Sequence, residues 1–233
     1  MADAINVNSL NVCRAFLEIS EHNRKVTASR LRGFMGYFFL DDSGFHHHGV
    51  NAYNYPLIQY KRIDETLLVL GLNEYAPILA QKIVQVDRII IPKHAINVRA
   101  IDIQNYMHNI SYEQQTYSFA TPWIALNEHN YRIFNQSKKD EQKILLQKIL
   151  VGNILSALKG LGITAKERII VSLNDYKPVH VMAHGNSFEA FHGQFEANIS
   201  LPEFIGLGKS VSKGFGAIRQ VFKNEDAINK PAE

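Results

Sequence analysis

Three consecutive histidines, His46, His47 and His48, stand in the stretch "SGFHHHGVNAYNYPLIQYK" that begins at Ser43. Imidazole has an unperturbed pKa of about 6.5, so it exchanges protons near neutrality, and in its neutral form it is a metal ligand. Three uses are open: acid–base catalysis, metal coordination, or a surface loop without a role. Alternate residues of an extended chain point the same way, so His46 and His48 would share a face from which His47 turns away. Adjacent imidazoles do not readily reach one ion, and no Asp or Glu lies at helical spacing to complete a site. Asp41 and Asp42, just ahead, read as turn residues. No metal site and no cofactor are therefore expected. His94, His129, His180, His184 and His192 are scattered and read as structural or solvated.

A second feature lies far away in sequence. In "FIGLGKSVSKGFGAIR", Gly206, Gly208, Gly214 and Gly216 are interleaved with Lys209, Ser210, Ser212, Lys213 and Arg219. Glycine lets backbone amides approach a phosphate with no side chain in the way. Lysines add charge and serines short hydrogen bonds. The set suits the phosphates of a nucleic acid or nucleotide, and equally a glycine-rich hairpin with solvated lysines. It is not a P-loop, because position 203, where the first glycine would stand, is Glu. Nor is it a dinucleotide fingerprint, since no strand–helix unit with a following acidic residue surrounds it.

The elements that must position these residues follow from periodicity. "LNVCRAFLEIS" reads as a strand. In "VTASRLRGFMGYFFL", Leu31, Phe34, Met35, Phe38 and Phe39 mark one helical face with Thr27 as N-cap, and Gly33 and Gly36 suggest a closely packed neighbour. "YNYPLIQYKRI" and "ETLLVLGL" read as two strands, "EYAPILAQKIVQ" as a helix capped by Asn73, and "DRIIIPKHAINV" as a fourth strand. That order is the ferredoxin-like βαββαβ pattern. Extended segments fill 101–126, a helix spans about 138–160 with Leu146, Leu150, Ile154 and Leu158 on its apolar face, and strands follow at "ERIIVSLN", "KPVHVMAH" and "SFEAFHGQFEANI". The fold expected is α+β: two tandem ferredoxin-like (RRM-like) βαββαβ domains, the second diverged and carrying the glycine-rich loop. The domains are drawn as 1–100 and 101–223, with a boundary in the window 98–112 and a frayed tail at 224–233.

The chain of 233 residues, 46% hydrophobic and 20% charged, supports a sizeable core. A lone cysteine, Cys13, excludes a disulfide framework and a cysteine metal cluster. No signal peptide and no membrane-length apolar run is visible, so the cytoplasm is the expected location. A net charge of +3 makes local patches matter more than the total. Trp123, in apolar "TPWIAL", is expected in the core rather than stacked on a base.

The segment "FHGQFEANISLPEFIGLGKSVSKGFG", with "LRGFMGYFF" and "YPLIQYK", resembles the CRISPR-associated repeat-cleaving endoribonucleases of the RAMP superfamily. The nearest likeness is to a subgroup with a His-x-His loop, here His46 and His48, although His47 stands where another polar residue is expected. The resemblance implies metal-independent cleavage of precursor CRISPR RNA by 2′-hydroxyl attack, leaving a 2′,3′-cyclic phosphate and a 5′-hydroxyl. It implies His48 and His46 as acid and base in undivided roles, and Tyr55 as a third catalytic group near the scissile phosphate. RNA contacts are expected from Gly206, Gly208, Lys209, Ser210, Lys213, Gly214, Gly216, Arg30 and Lys61. Repeat RNA is the implied partner, and the family also admits CRISPR effector proteins and a homodimer. Two rivals stand beside it: a non-catalytic repeat-RNA-binding subunit of an effector complex, and a ferredoxin-like protein that binds a metal or small molecule.

Overall fold

The computed structural model describes residues 9–20, 25–42, 44–45, 55–183 and 185–222. The first half runs β1 (Ser9–Ile19), α1 (Ala28–Phe38), β2 (Ile58–Ile63), β3 (Thr66–Leu72), α2 (Tyr75–Ile83), β4 (Arg88–Ile91) and β5 (His94–Asn109). Thr27 caps α1, its hydroxyl accepting from the Arg30 amide, and the helix buries Leu31, Phe34 and Met35. The five strands form an antiparallel sheet in the order β2-β3-β1-β5-β4. In β3 the sequence TLLVLGL is nearly all apolar because both faces are covered. Leu67 and Val69 pack among the side chains of α1 and α2, while Leu70 and Leu72 join the core of the second half.

The second half runs β6 (Gln115–Phe119), α3 (Glu128–Gln136), α4 (Lys139–Gly160), β7 (Val171–Ala183), β8 (Asn186–Ala197), a single 3₁₀ turn (Val211–Lys213) and β9 (Ile218–Gln220). Its sheet has the order β7-β8-β6-β9. Counting strands within each half, leaving β4 aside, both sheets read second, third, first, fourth. Each half is thus ferredoxin-like. In the second, the helix that should join the third and fourth strands is absent, and residues 198–217 take its place. That replacement carries the glycine-rich segment. Leu146, Leu150, Ile154 and Leu158 of α4 pack with Leu10, Val12 and Tyr55 of the first half, so the two halves share one core.

Several elements differ from the sequence-based expectation. The fourth strand is a hairpin, because Pro92 and Lys93 make a turn in which Lys93 adopts φ 66°. Its second arm, β5, lies beside β1 and runs unbroken through residue 100, so the first sheet extends to Asn109. The polar helix α3, which the sequence reading does not mark, buries only Phe134. β7 is one long strand with a register shift between Leu173 and Asp175, and Pro178 is tolerated there because β7 is an edge strand. Asn73 does not cap α2; its side-chain amide donates to the Leu161 carbonyl at 2.9 Å and ties the halves together. Gly33 faces open space rather than a tight neighbour. Among the described residues no helix is long and apolar enough to cross a membrane. The expected tail at 224–233 lies outside the described residues.

Tyr117 anchors the start of the helix-replacing segment. It is buried, its hydroxyl donating to the Ile199 carbonyl at 3.0 Å and accepting from the Leu201 amide at 2.8 Å. Tyr117→Phe leaves both groups unpaired and is expected to cost about 1–3 kcal/mol. Urea denaturation should show a lower midpoint at unchanged slope; an unchanged midpoint would mean that this tie does not hold the segment.

Candidate nucleic-acid interface

β2 presents alternate residues to opposite sides. Ile58 and Tyr60 enter the core beneath α1, while Gln59 and Lys61 face the second half, and both are fully buried. There they meet the glycine-rich segment. The Gly206 amide donates to Gln59 Oε1 at 3.0 Å, and the Gly206 carbonyl accepts from the Tyr55 hydroxyl at 2.6 Å. Lys61 Nζ donates to the Val211 carbonyl at 3.0 Å and the Phe215 carbonyl at 3.5 Å. A Cβ at Gly206 would lie 2.4 Å from Val211 Cγ1 and 2.7 Å from Lys61 Nζ. At Gly214, φ is 102° and a Cβ would lie 2.5 Å from that of Ala28 in α1. Side chains at either position would lift the segment off β2 and α1.

These contacts engage several of the groups expected to meet RNA. The amides of Gly206, Gly214 and Gly216, expected to approach phosphate, donate within the protein to Gln59 Oε1 and the carbonyls of Val211 and Pro122, and those of Lys209 and Lys213 donate to the carbonyls of Ile124 and Ser210. The glycines allow close seating within the protein. Gly208 packs against the indole edge of Trp123, which is wholly buried as expected, stacked on Phe119 and hydrogen-bonded through Nε1 to Asn153. Lys61, expected on an exposed strand with an RNA contact, is 0% exposed, and its charge faces carbonyls, not solvent. Tyr55 is buried with its hydroxyl on Gly206. Arg219 is ion-paired with Asp64 at 2.5 Å.

What remains at the surface is cationic. Lys209, Ser210 and Lys213 are half-buried on the outer side of the segment. Burial lowers the pKa of Lys209; burial and then the nearby Arg32 charge lower that of Lys213. Arg32, half-buried on α1, has a buried Nε without a hydrogen-bond partner, and so does the Tyr60 hydroxyl beneath it. Burial raises the Tyr60 pKa, with Arg32 opposing and Asp42 adding to the shift. Arg30 is exposed, its guanidinium donating to the Lys25 carbonyl at 2.7 Å. Lys213 and Arg32 thus form a pair of cations between α1 and the 3₁₀ turn. Reading the sequence singles out Arg30; the signal for Arg32 is its burial, which periodicity does not reveal.

His46 and His48 lie outside the described residues. The residues that flank them are both anchored: Phe45 is buried with its ring 4.6 Å from that of Phe39 at the end of α1, and Tyr55 is held on Gly206. Asp42 acts as the expected turn residue, accepting from the Gly44 amide, and pairs with Lys82 at 2.9 Å. Of the other histidines, His94 contacts Lys25 Nζ and His192 the Phe119 carbonyl, as structural side chains would. Among the described residues, no three potential metal ligands cluster.

The fold is that of tandem ferredoxin-like proteins in which a glycine-rich segment replaces a helix of the second domain and docks on the first. Residues 8–109 match the Cas6b N-terminal domain and residues 109–221 the Cas6b C-terminal domain. The chain belongs to the Cas6b family. A solved Cas6b is 29% identical and superposes with a TM-score of 0.81, covering 91% of this chain and 100% of that one. A second, described as the CRISPR RNA processing endoribonuclease Cas6b, is 28% identical with a TM-score of 0.73 over the same shares of 91% and 100%. An uncharacterized protein of Methanocaldococcus jannaschii is 46% identical over 105 residues, which are 45% of this chain and 71% of that protein.

Burial lowers the Lys61 pKa to about 7. The unfolded chain then holds the proton up to the ordinary lysine range while the folded protein releases it, so stability rises with pH between the two values. Lys61→Met removes that dependence. Denaturation of both proteins between pH 7 and 9.5 should show the wild type gaining on the variant by up to about 1.4 kcal/mol per pH unit. Parallel profiles would mean that Lys61 titrates as an exposed lysine.

Proposed function

We propose that this protein is a metal-independent endoribonuclease that cuts precursor CRISPR RNA within its repeats. The observation that carries the reading is the pair of cations formed by Arg32 of α1 and Lys213 of the glycine-rich segment, whose Gly206 holds Tyr55 at the end of the histidine segment, in a member of the Cas6b family. Repeat RNA lies along this cationic edge, and Arg30 extends it along α1. The first catalytic histidine takes the proton from the 2′-hydroxyl as its oxygen bonds to the adjacent phosphorus. The second gives a proton to the 5′ oxygen as the P–O5′ bond breaks. The products are a 2′,3′-cyclic phosphate and a 5′-hydroxyl, and no water is consumed. His46 and His48 fill these roles. Arg32 and Lys213 neutralise charge that builds on the phosphoryl oxygens, and a guanidinium with an unpaired buried N–H is suited to that task. Tyr55 joins the end of the histidine segment to the RNA-binding segment through Gly206. The buried, solitary Cys13 fits the reducing cytoplasm as the place of action.

The test is cleavage of the repeat RNA of the source genome in EDTA. Cutting should persist without metal and leave a cyclic phosphate. His46→Ala and His48→Ala should each lower the single-turnover rate by about 10²–10⁴. Cutting at a 2′-deoxy position would overturn the mechanism, and tight binding without cutting would assign a purely RNA-holding role. Arg32→Ala and Lys213→Ala should weaken binding of the 2′-deoxy RNA and reduce the log–log salt slope by about 0.7 per lost phosphate contact.

A further inference from the structure

We propose that Lys61 is a positioning residue for RNA binding: it pins the turn between Val211 and Phe215 to the first domain from inside, and so sets Lys209 and Lys213 at the outer edge. The inference rests on the RNA-cleaving function proposed above. Lys61 is fully buried, and its donors go to the carbonyls on either side of the turn, at 3.0 Å to Val211 and 3.5 Å to Phe215. The Val211 carbonyl also accepts from the Gly214 amide, so Lys61 reinforces the group that closes the 3₁₀ turn. The turn is entered through Ser210 at φ 55° and left through Gly214 at φ 102°. Left-handed backbone at a residue other than glycine persists only when its surroundings hold it there.

Burying an ammonium is costly, and a hydrocarbon of similar length would fill the same volume without that cost. Keeping a lysine here makes sense where fanned donors are needed to hold two carbonyls at once. The three side chains that grip the segment also divide the work. Tyr55 and Gln59 fix one residue, Gly206, and set where the segment enters. Lys61 alone of the three reaches the far side of the turn that carries Lys213. Charge-assisted contacts to phosphate are short, about 2.7–2.9 Å, so a small slide of this turn separates Lys213 from its phosphate.

The experiment compares wild type, Lys61→Met, the pair Lys209→Ala/Lys213→Ala, and the triple variant. Trp123 is the only tryptophan and packs against Gly208, so its emission reports how the segment is seated in the free protein. Lys61→Met should shift that emission. It should also weaken binding of the 2′-deoxy repeat RNA by about tenfold or more, with the loss falling in KM while the saturated single-turnover rate changes little. In the triple variant, Lys61→Met should add less than about twofold to the loss from the lysine pair, as expected when residues act as one unit. Equal affinity of Lys61→Met and wild type overturns the proposal, as does full additivity in the triple variant, which would mean that Lys61 acts independently of the turn lysines. If Lys61→Met does not fold, Lys61→Leu, which likewise removes every donor, replaces it in every comparison, and the same results support or overturn the proposal. A wild type that neither binds nor cuts the repeat RNA overturns the function and this proposal together; a wild type that cuts, beside a Lys61 variant of unchanged affinity, overturns this proposal alone.

Discussion

Gly206 sits where the two halves of the molecule meet, with both of its backbone groups held by side chains of the first half. Its amide goes to Gln59 and its carbonyl to Tyr55. Buried backbone groups must be paired, and here a segment lacking a helix or full ladder finds its partners on another domain. The constraint runs both ways. Tyr55 and Gln59 are buried polar side chains, which would be costly if Gly206 were not there to accept and donate. Any residue with a Cβ at 206 collides with Val211 and Lys61, so the whole arrangement depends on one missing methyl group.

This dependence follows from the topology. A ferredoxin-like domain normally covers one face of its sheet with two helices. The second half keeps α4 and replaces the other helix by residues 198–217. An irregular segment in a buried place needs external hydrogen bonds. The second face of the first sheet supplies them: Gln59 and Lys61 of β2 and Leu68, Leu70 and Leu72 of β3 all point at the second half. The docked segment thereby covers that sheet face and leaves its own outer rim, with Lys209 and Lys213, half-exposed.

Much of this is legible in the amino-acid sequence, and the exceptions have physical causes. The alternation of β1, the stripe of α1 with its Thr27 cap, and the long apolar face of α4 are one-dimensional signals. The likeness to the repeat-cleaving endoribonucleases rests on "YPLIQYK" and the glycine-rich segment, and those two stretches prove to be bonded to each other. What sequence does not supply is partner identity across distance. Lys61 reads as an exposed strand residue available to RNA because nothing local marks the other side of β2 as covered. The glycines read as a phosphate cradle because close approach to a ligand and close approach to another domain demand the same residue. The turn at Lys93 and the helix α3 escape a sequence reading for simpler reasons: lysine is not a turn former, and α3 buries one side chain.

A modest net charge is compatible with binding a polyanion when like charges are segregated, and the sheet edge shows such a division. Arg32 on α1 and Lys213 on the segment lie close enough to interact. Glu18, Asp64, Glu65 and Asp102 line a hollow at the far end of β1 and β3. Arg219, which the sequence places with the basic residues, is drawn to that acidic end by Asp64 and is lost to the cationic edge. In the hollow Asp64 is paired with Arg219 and Glu65 with Arg62, which leaves Glu18 and Asp102 to keep its lining acidic, whereas Arg32 and Lys213 set cation beside cation between α1 and the 3₁₀ turn.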